Sequence, residues 1–506
     1  MQSKRTYKNA IECLNTLQSR ASILKSIEKT GPLNFSDGLS LSINNFRTIC
    51  YEPKDFDKLN VIHVAGTKGK GSVCAFVESI IRNYPLKDKR IRTGLYTSPH
   101  LVSVRERIRM DGKQISEEKF TKYFFDCWDK IYNTTNINNI TDDTLPNYYR
   151  FITLVAFHAF MEEQVDVAIL EVGIGGEYDT TNIVKSPIVC GITSLGYDHQ
   201  LLLGETISEI AWHKAGIFKK KVPAFTVEQP KEAHEMLKQR AAEKEIPLTI
   251  VDTNLMDNIK LGLSGRHQKQ NAALAVELCR VWFQTCHNIL KTGGDKVPQE
   301  FLIGLERARL SGRAQIIKIP TMDRLTYYCD GAHTIESIQS CMDWFRETAF
   351  QGEYNSRDDA NQEDTTVPVN VKRILLFNCT GERSGLNLLK VITASPYIRF
   401  DYAVFCTNVV YSDNPDSKEP TLSNISLTNQ ESFKNDWLSL IAQQETNNNM
   451  IQEQRVHLFP SIEHAVNWIK EYAAHGTKNN THVQVLVSGS LHLVGGVLEV
   501  LNVDVE

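Results

Sequence analysis

The sequence has no strong excess of charge of either sign. Its 56 basic and 60 acidic residues leave a formal charge of −4 at pH 7, which argues against a long electropositive groove for nucleic acid or a polybasic membrane surface. Any anionic ligand must be held by a few residues at one place. The eleven cysteines contain no C-x-x-C pair, so neither a zinc ribbon nor a redox pair is expected, and buried thiols in a reducing compartment are the simpler reading. An uninterrupted apolar run long enough to cross a bilayer is also missing. The nearest, from Val483 to Leu501, is broken by Ser488, Ser490, His492, Gly495, Gly496 and Glu499 and reads as strand, turn and helix. The opening residues lack the apolar stretch of a signal peptide. They carry Lys4, Arg5, Lys8 and Arg20 with no acid before Glu12, which leaves an organelle-targeting segment as the alternative to a plain amphipathic helix. No internal repeat is present.

What remains is a chain of 506 residues, 42% hydrophobic and 23% charged, close to the globular average and long enough for two to four domains. From Asn60 to Arg82 a short apolar run gives way to a glycine-rich turn. Val73, Phe76, Val77, Ile80 and Ile81 then follow at the spacing of one helix face. Runs after Arg92, from Val165 and from Pro187 read as buried parallel strands, with a helix from Phe151 to Glu163 among the intervening patterns. A second alternation of strands (LTYYCD, KRILLFN, DYAVFC, VHLF, VQVLVSGS) and helical patterns begins beyond Arg313. The fold class expected is α/β: a doubly wound domain with a phosphate-type P-loop over 1–312, followed by a smaller Rossmann-like α/β domain over 313–506. Polar stretches near 351–370 and 412–450 read as surface insertions.

The strongest chemical signal is HVAGTKGKGS, from His63 to Ser72. Small residues let backbone N–H groups approach phosphate oxygens, Lys70 adds a point charge, Ser72 can reach a magnesium ion, and the following helix presents its positive end. The spacing departs from G-x-x-x-x-G-K-[ST], because Gly71 separates Lys70 from Ser72 and Val64 stands where the first glycine would be. A flexible glycine turn is the bland alternative. ILEVGIGG places Glu171 at the carboxyl end of one strand, and ITSLGYDH places Asp198 and His199 just past another. Beside a phosphate loop these suggest magnesium held by oxygen ligands with an imidazole, while a helix cap and a satisfied loop histidine are the structural alternatives. TSPHLVSVRERIR adds Ser98 as a further metal contact, with Arg105, Arg107 and Arg109 either a substrate clamp or a solvated period-two strand face. CDGAHT sets Asp330 at another strand end with His333 entering a helix, and a helix N-cap is the bland role for Asp330.

HVAGTKGKGS, GLYTSPHL, SVRERIR, LEVGIGGEYDTTN, the Asp198–His199 pair, WHKAGIFK, SGRAQ, DGAHT and SGSLHLVGG occur in this order. Together they resemble the folylpolyglutamate synthase family of the Mur ligase superfamily, in its eukaryotic, fungal branch, from about residue 6 to residue 500. The resemblance implies an ATP-dependent ligase that adds L-glutamate to the γ-carboxyl of a tetrahydrofolate or its polyglutamates through an acyl phosphate, releasing ADP and phosphate. It implies that Gly66, Thr67, Lys68, Gly69, Lys70, Gly71 and Ser72 hold the ATP phosphates, that Ser98, Glu171 and His199 bind Mg2+, and that Arg313 and Asp330 contact ATP across an interdomain cleft. Asn271 resembles the adenine-side asparagine. Lys214 matches a lysine carbamylated in several relatives. Lys70, Lys214 and His333 are the residues implied in catalysis, His333 near the phosphoryl group or the incoming amine, and a monovalent cation is a further candidate ligand. Thr334 stands where the family has asparagine, so that contact is not carried over. The expectation is a monomer with no nucleic-acid partner, cytoplasmic with a mitochondrial pool. The rival readings are a dihydrofolate synthase, which starts from dihydropteroate, and a nucleotide-binding regulator. A cell-wall Mur ligase fits less well, since the phosphate loop begins near residue 66 and leaves little room for a preceding nucleotide-sugar domain.

Overall fold

A computed structural model describes residues 5–17, 36–86, 89–135, 145–290, 294, 296–350, 370–379, 384–411, 426–443, 454–476 and 481–503. The chain divides into two compact units, Met1–Leu310 (with Glu506) and Ser311–Val505.

In the first unit, β1 (Ile62–Ala65), β2 (Thr93–Tyr96), β3 (Ile108–Met110), β4 (Lys113–Gln114), β5 (Val167–Glu171), β6 (Val189–Ile192), β7 (Ala224–Thr226) and β8 (Leu248–Ile250) form one sheet in the order β4-β3-β2-β5-β1-β6-β7-β8. Only the β2–β3 and β3–β4 pairs are antiparallel. Every residue of β1, β2, β5 and β6 is buried, as expected of strands covered on both faces. After β1 the chain winds to β2 on one side, and after β5 it crosses to β6 on the other, so β1 sits at the reversal of winding. Open α/β sheets bind ligands beyond the strand carboxyl ends at such a point.

The helices that matter here are α1 (Tyr7–Thr16), α2 (Lys70–Asn83), α3 (Tyr148–Glu162), α4 (Ile207–Lys214), α5 (Gln268–His287) and α6 (Gln299–Arg307). Helix α1 is amphipathic and buries Ala10, Ile11 and Leu14. The α2 residues Val73, Phe76, Val77, Ile80 and Ile81 share a core with Leu274, Leu278 and Trp282 of α5 and with Phe301 and Leu305 of α6. Helix α6 comes so close to α2 that a Cβ on Gly304 would lie 2.4 Å from the Ile80 Cα. Of the two alternatives for the arginine stretch, the solvated period-two strand face does not hold. Val104–Arg107 is a 3-10 turn closed by Ser103 and Glu106, and only Ile108–Met110 is strand. Arg107 and Arg109 are both buried, because Arg107 Nε reaches His100 Nδ1 at 2.8 Å and Arg109 Nε donates to the Glu106 carbonyl at 3.3 Å.

The second unit has β9 (Gln315–Ile319), β10 (Met322–Cys329), β11 (Asn370–Phe377), β12 (Tyr402–Cys406), β13 (Val456–Phe459) and β14 (Thr481–Ser488) in the order β13-β12-β11-β14-β10-β9. The β9–β10 edge pair alone is antiparallel. Helices α7 (Ile335–Ala349), α8 (Gly385–Thr393) and α9 (Thr428–Ala442) share one core with Leu375, Phe377, Phe405 and Leu486 of the sheet. Helix α9 corrects the reading of 412–450 as surface insertion. It supplies the crossover that the parallel β12–β13 pair requires, and it buries Phe433, Trp437 and Leu440 at helical spacing. Residues 412–425, 444–450 and 351–369 of the expected insertions lie outside the described residues.

Candidate functional site

The turn after β1 enters α2 through Gly66 (φ 147°) and Gly69 (φ 90°), and no side chain caps the helix. A Cβ on Gly66 would stand 1.8 Å from Thr193 Oγ1, and one on Gly69 would stand 2.3 Å from Asn271 Oδ1. These glycines are therefore needed for close approach as well as for backbone conformation. The Thr67 and Lys68 amides both donate to the Ser194 carbonyl, at 3.0 and 3.1 Å. That pins the loop to the end of β6 and occupies two of the N–H groups expected to face phosphate. The first-turn amides of α2, from Lys70 onward, remain the natural anion site, where the helix dipole adds to Lys70. Lys70 Nζ rests on the Gly66 carbonyl at 3.2 Å, and Lys214 Nζ, from the last turn of α4, donates to the same oxygen at 2.8 Å. Lys214 is 3% exposed. Burial first, then the charges of Lys70 and Lys68, bring it from 10.5 down to about 7, against the opposing pull of Asp198 and Asp179.

Helix α5 closes the other side of the loop. Gln268 Nε2 donates to Ser72 Oγ at 3.3 Å, and Gln268 Oε1 accepts from Asn271 Nδ2 at 2.9 Å. Asn271 thus lies directly against Gly69, in contact with the phosphate loop.

Glu171, at the carboxyl end of β5, is 4% exposed. Its Oε2 accepts the Ser98 amide at 3.0 Å and lies 3.6 Å from where a Cβ on Gly71 would be. The first turn of α2, Ser98 and Glu171 therefore meet at one place. His199 sits beyond β6 with φ 53°, and its side chain is 41% exposed. Its Nε2 is 3.9 Å from Asp198 Oδ1, while Asp198 Oδ2 lies 3.8 Å from Lys68 Nζ. Among the described residues, no group of three or more His, Cys, Asp or Glu side chains converges as a metal cage. The donor set of carboxylate and hydroxyl still suits magnesium, which typically takes one or two protein oxygens and completes its shell with water and substrate phosphate.

In the second unit, Asp330 directly follows β10 and both of its oxygens accept from backbone amides. Oδ2 accepts the Ala314 amide at 2.8 Å and Oδ1 the Ala332 amide at 2.9 Å. Asp330 therefore fixes the turn that carries Arg313. It is not the cap of α7, a role taken by Thr334 in a reciprocal capping pair with Ser337. His333 Nδ1 lies 2.8 Å from the Gly331 carbonyl, which makes Nδ1 the protonated nitrogen of the neutral ring and Nε2 the basic one.

No family model matches the chain. It is 40% identical over 534 residues to the folylpolyglutamate synthase of Candida albicans, covering 99% of this chain and 96% of that one. It is 39% identical over 523 residues to that of Saccharomyces cerevisiae strain FostersO, covering 99% and 88%. This chain belongs to the folylpolyglutamate synthase family. Solved structures agree on the fold. The Mycobacterium tuberculosis folylpolyglutamate synthase complexed with ADP matches with TM-score 0.69 at 20% identity, over 97% of this chain and all of that one. That of Thermotoga maritima matches with TM-score 0.61 at 22% identity, over 97% and 98%.

Two site residues of this folylpolyglutamate synthase family member have no role in the sequence reading above, although one of them, Asp179, lies inside the LEVGIGGEYDTTN block. Asp179 is buried, accepts from the Gly173, Ile174 and Thr181 amides at 3.1, 3.4 and 2.9 Å, and so shapes the turn that follows Glu171. Burial pushes its carboxyl above the ordinary aspartate range, against the pull of the Thr181 hydrogen bonds. The same network reaches β1, where His63 Nε2 meets Thr181 Oγ1 at 2.8 Å. Gln268 is the second. The stretch QKQNAALA gives its helix, but nothing local shows that it touches Ser72.

Proposed function

We propose that this chain adds L-glutamate, at the expense of ATP, to the γ-carboxyl of tetrahydrofolate or its polyglutamates. The observation that carries the reading is the meeting of the uncapped first turn of α2 with Glu171 and Ser98, in a chain of this family. A carboxylate is a poor acylating agent, so the folate γ-carboxylate oxygen attacks the γ-phosphorus of ATP and ADP departs. The glutamate nitrogen then attacks the acyl carbon, loses a proton, and phosphate departs.

This chain's residues position and neutralise. The amides from Lys70 to Ser72 and the Lys70 ammonium take the charge on the transferred group. Glu171, Ser98 and His199 would hold Mg2+, which when bound supplies charge neutralisation to the phosphates. Lys214, buried under Gly66, keeps the loop carbonyl turned inward. Arg313 and Asp330 are the second unit's ATP contacts in this reading, and the basic Nε2 of His333 can accept the proton released from the amine. No enzyme nucleophile is required. We place the protein in the cytoplasm with a mitochondrial pool, acting as a monomer.

The deciding test is incorporation of labelled glutamate with Mg-ATP, comparing tetrahydrofolate, dihydropteroate and no pterin. Product with tetrahydrofolate supports the reading. Product from dihydropteroate alone would make the chain a dihydrofolate synthase, and ATP hydrolysis without incorporation would make it a nucleotide-binding regulator.

A further inference from the structure

Beside α2 in the first unit lies a pocket whose lining, Gly71 apart, no step above uses. The alternation of β2 turns Thr93 and Leu95 to one face, Thr97 follows just past the strand, and the β2–β3 register sets Arg109 opposite Leu95. Leu95, Thr97 and Arg109 therefore form a floor. One wall is α2, where Gly71, Ala75 and Ser79 recur every fourth residue and their small side chains keep the space open. The other wall is Arg307, Arg309 and Leu310.

Four arginines, Arg82, Arg109, Arg307 and Arg309, line this pocket with a single acid, Glu78, and Arg307 and Arg309 hydrogen-bond neutral groups, Asn83 Oδ1 and the Glu306 and Ala308 carbonyls. Glu78 is already engaged by Arg82 Nε and Thr93 Oγ1, each at 2.8 Å. A local positive surplus thus stands out in a chain of net charge −4. One end of the pocket, at Gly71 and Thr97, adjoins the Glu171–Ser98 pair. The other end reaches Arg82, eleven helical positions or about 16 Å further along α2.

We propose that this pocket holds the α-carboxylates of the γ-glutamyl tail already on the folate. The inference rests on the ligase reading above. Guanidinium groups match carboxylates in planar, two-pronged pairs. A ligand whose carboxylates recur along a chain suits a pocket that runs outward from the reacting centre over more than one amino acid's length.

The test replaces the two exposed arginines in the full-length protein, Arg307→Ala with Arg309→Ala, and measures kcat/KM for tetrahydrofolate bearing one, three and five glutamates, with KM for L-glutamate and ATP alongside. The expected result is a loss of about three- to tenfold in the preference for long tails over the monoglutamate, the worth of one or two partly exposed ion pairs, shrinking at high salt. The lysine pair at the same positions should restore most of it. Lys220→Ala with Arg47→Ala, at exposed pairs with Glu245 and Glu52, is the charge-matched control and should change nothing. An equal effect at every tail length, a rise in KM for L-glutamate alone, or no change overturns the proposal. If the unmodified protein incorporates glutamate into no folate, the ligase reading fails. If it does incorporate and the double variant keeps its tail preference, only the pocket assignment fails.

Discussion

Replacing Lys214 with methionine should make the protein more stable at neutral pH, and by an amount that depends on pH. Lys214 is held at about 7, against 10.5 for an ordinary lysine. In the unfolded chain it binds its proton up to the higher value, and in the folded chain only up to the lower. Between them the unfolded state carries the extra proton, so stability rises with pH across that window. Below pH 7 the full cost of the buried ammonium is present, about 5 kcal/mol at 1.36 kcal/mol per tenfold in proton affinity. By linkage, about 2–3 kcal/mol of it should be relieved between pH 6 and pH 9. Methionine has similar length, has no charge to bury, and leaves the Gly66 carbonyl with its Lys70 partner, so the lost hydrogen bond costs only about 1 kcal/mol. Urea unfolding of both proteins at pH 6, 7.5 and 9, in buffers free of carbon dioxide, gives the difference directly, since every other titrating group cancels. The variant should be the more stable at pH 6 and its advantage should shrink toward pH 9. Curves that stay parallel across this range would refute the reasoning. Bicarbonate should then stabilise the unmodified protein alone if Lys214 takes up carbon dioxide as the family resemblance implies, because a ligand bound only by the folded state shifts unfolding.

Lys70→Ala should lower kcat/KM for ATP by about 10²-fold or more in steady-state assays with folate saturating, and near-normal turnover would remove the loop from the mechanism. Glu171→Gln keeps an acceptor for the Ser98 amide, so folding should persist while the magnesium titration of activity shifts to higher concentration, and an unchanged titration would make the strand-end acid structural. Gly69→Ala should abolish nucleotide binding in calorimetry, because the added methyl meets Asn271 Oδ1, and wild-type affinity would mean the loop yields freely. Trp437→Ala, in α9, should cost about 3–5 kcal/mol in urea unfolding, and a loss under 1 kcal/mol would return that helix to the surface.

Strands covered on both faces announce themselves as apolar runs, which is why the central strands of both sheets were legible and why the helix after the phosphate loop could be placed from five residues. The elements that were not legible are those whose local sequence is shared with another structure. Thr428–Ala442 is rich in Asn, Gln and Ser and reads as a polar insertion. Its helical periodicity rests on Phe433, Trp437 and Leu440, and only the need for a crossover between β12 and β13 makes it core. The arginine stretch misled in the opposite direction. Its alternation is genuine, but Glu106 accepts the Leu101, Val102 and Ser103 amides at 2.8, 2.8 and 2.6 Å, so a turn forms where period two suggests a strand.

The site divides along the same line. Glycines at φ 147° and 90° and an acid ending an apolar strand are local facts, and sequence alone exposes them. What they touch is set by register and winding. Ser98 meets Glu171 because β2 pairs beside β5, and Gly69 meets Asn271 because α5 and α2 share one core. Neither contact follows from spacing along the chain, which separates the partners by 73 and 202 positions. The lysine shows the consequence most plainly. WHKAGIF could place Lys214 near a helix end, but its proton affinity depends on burial beneath a loop 148 residues away. Lys214 is therefore, in the folded chain, a group balanced between charged and neutral forms near pH 7, and its hold on the Gly66 carbonyl should weaken as pH rises.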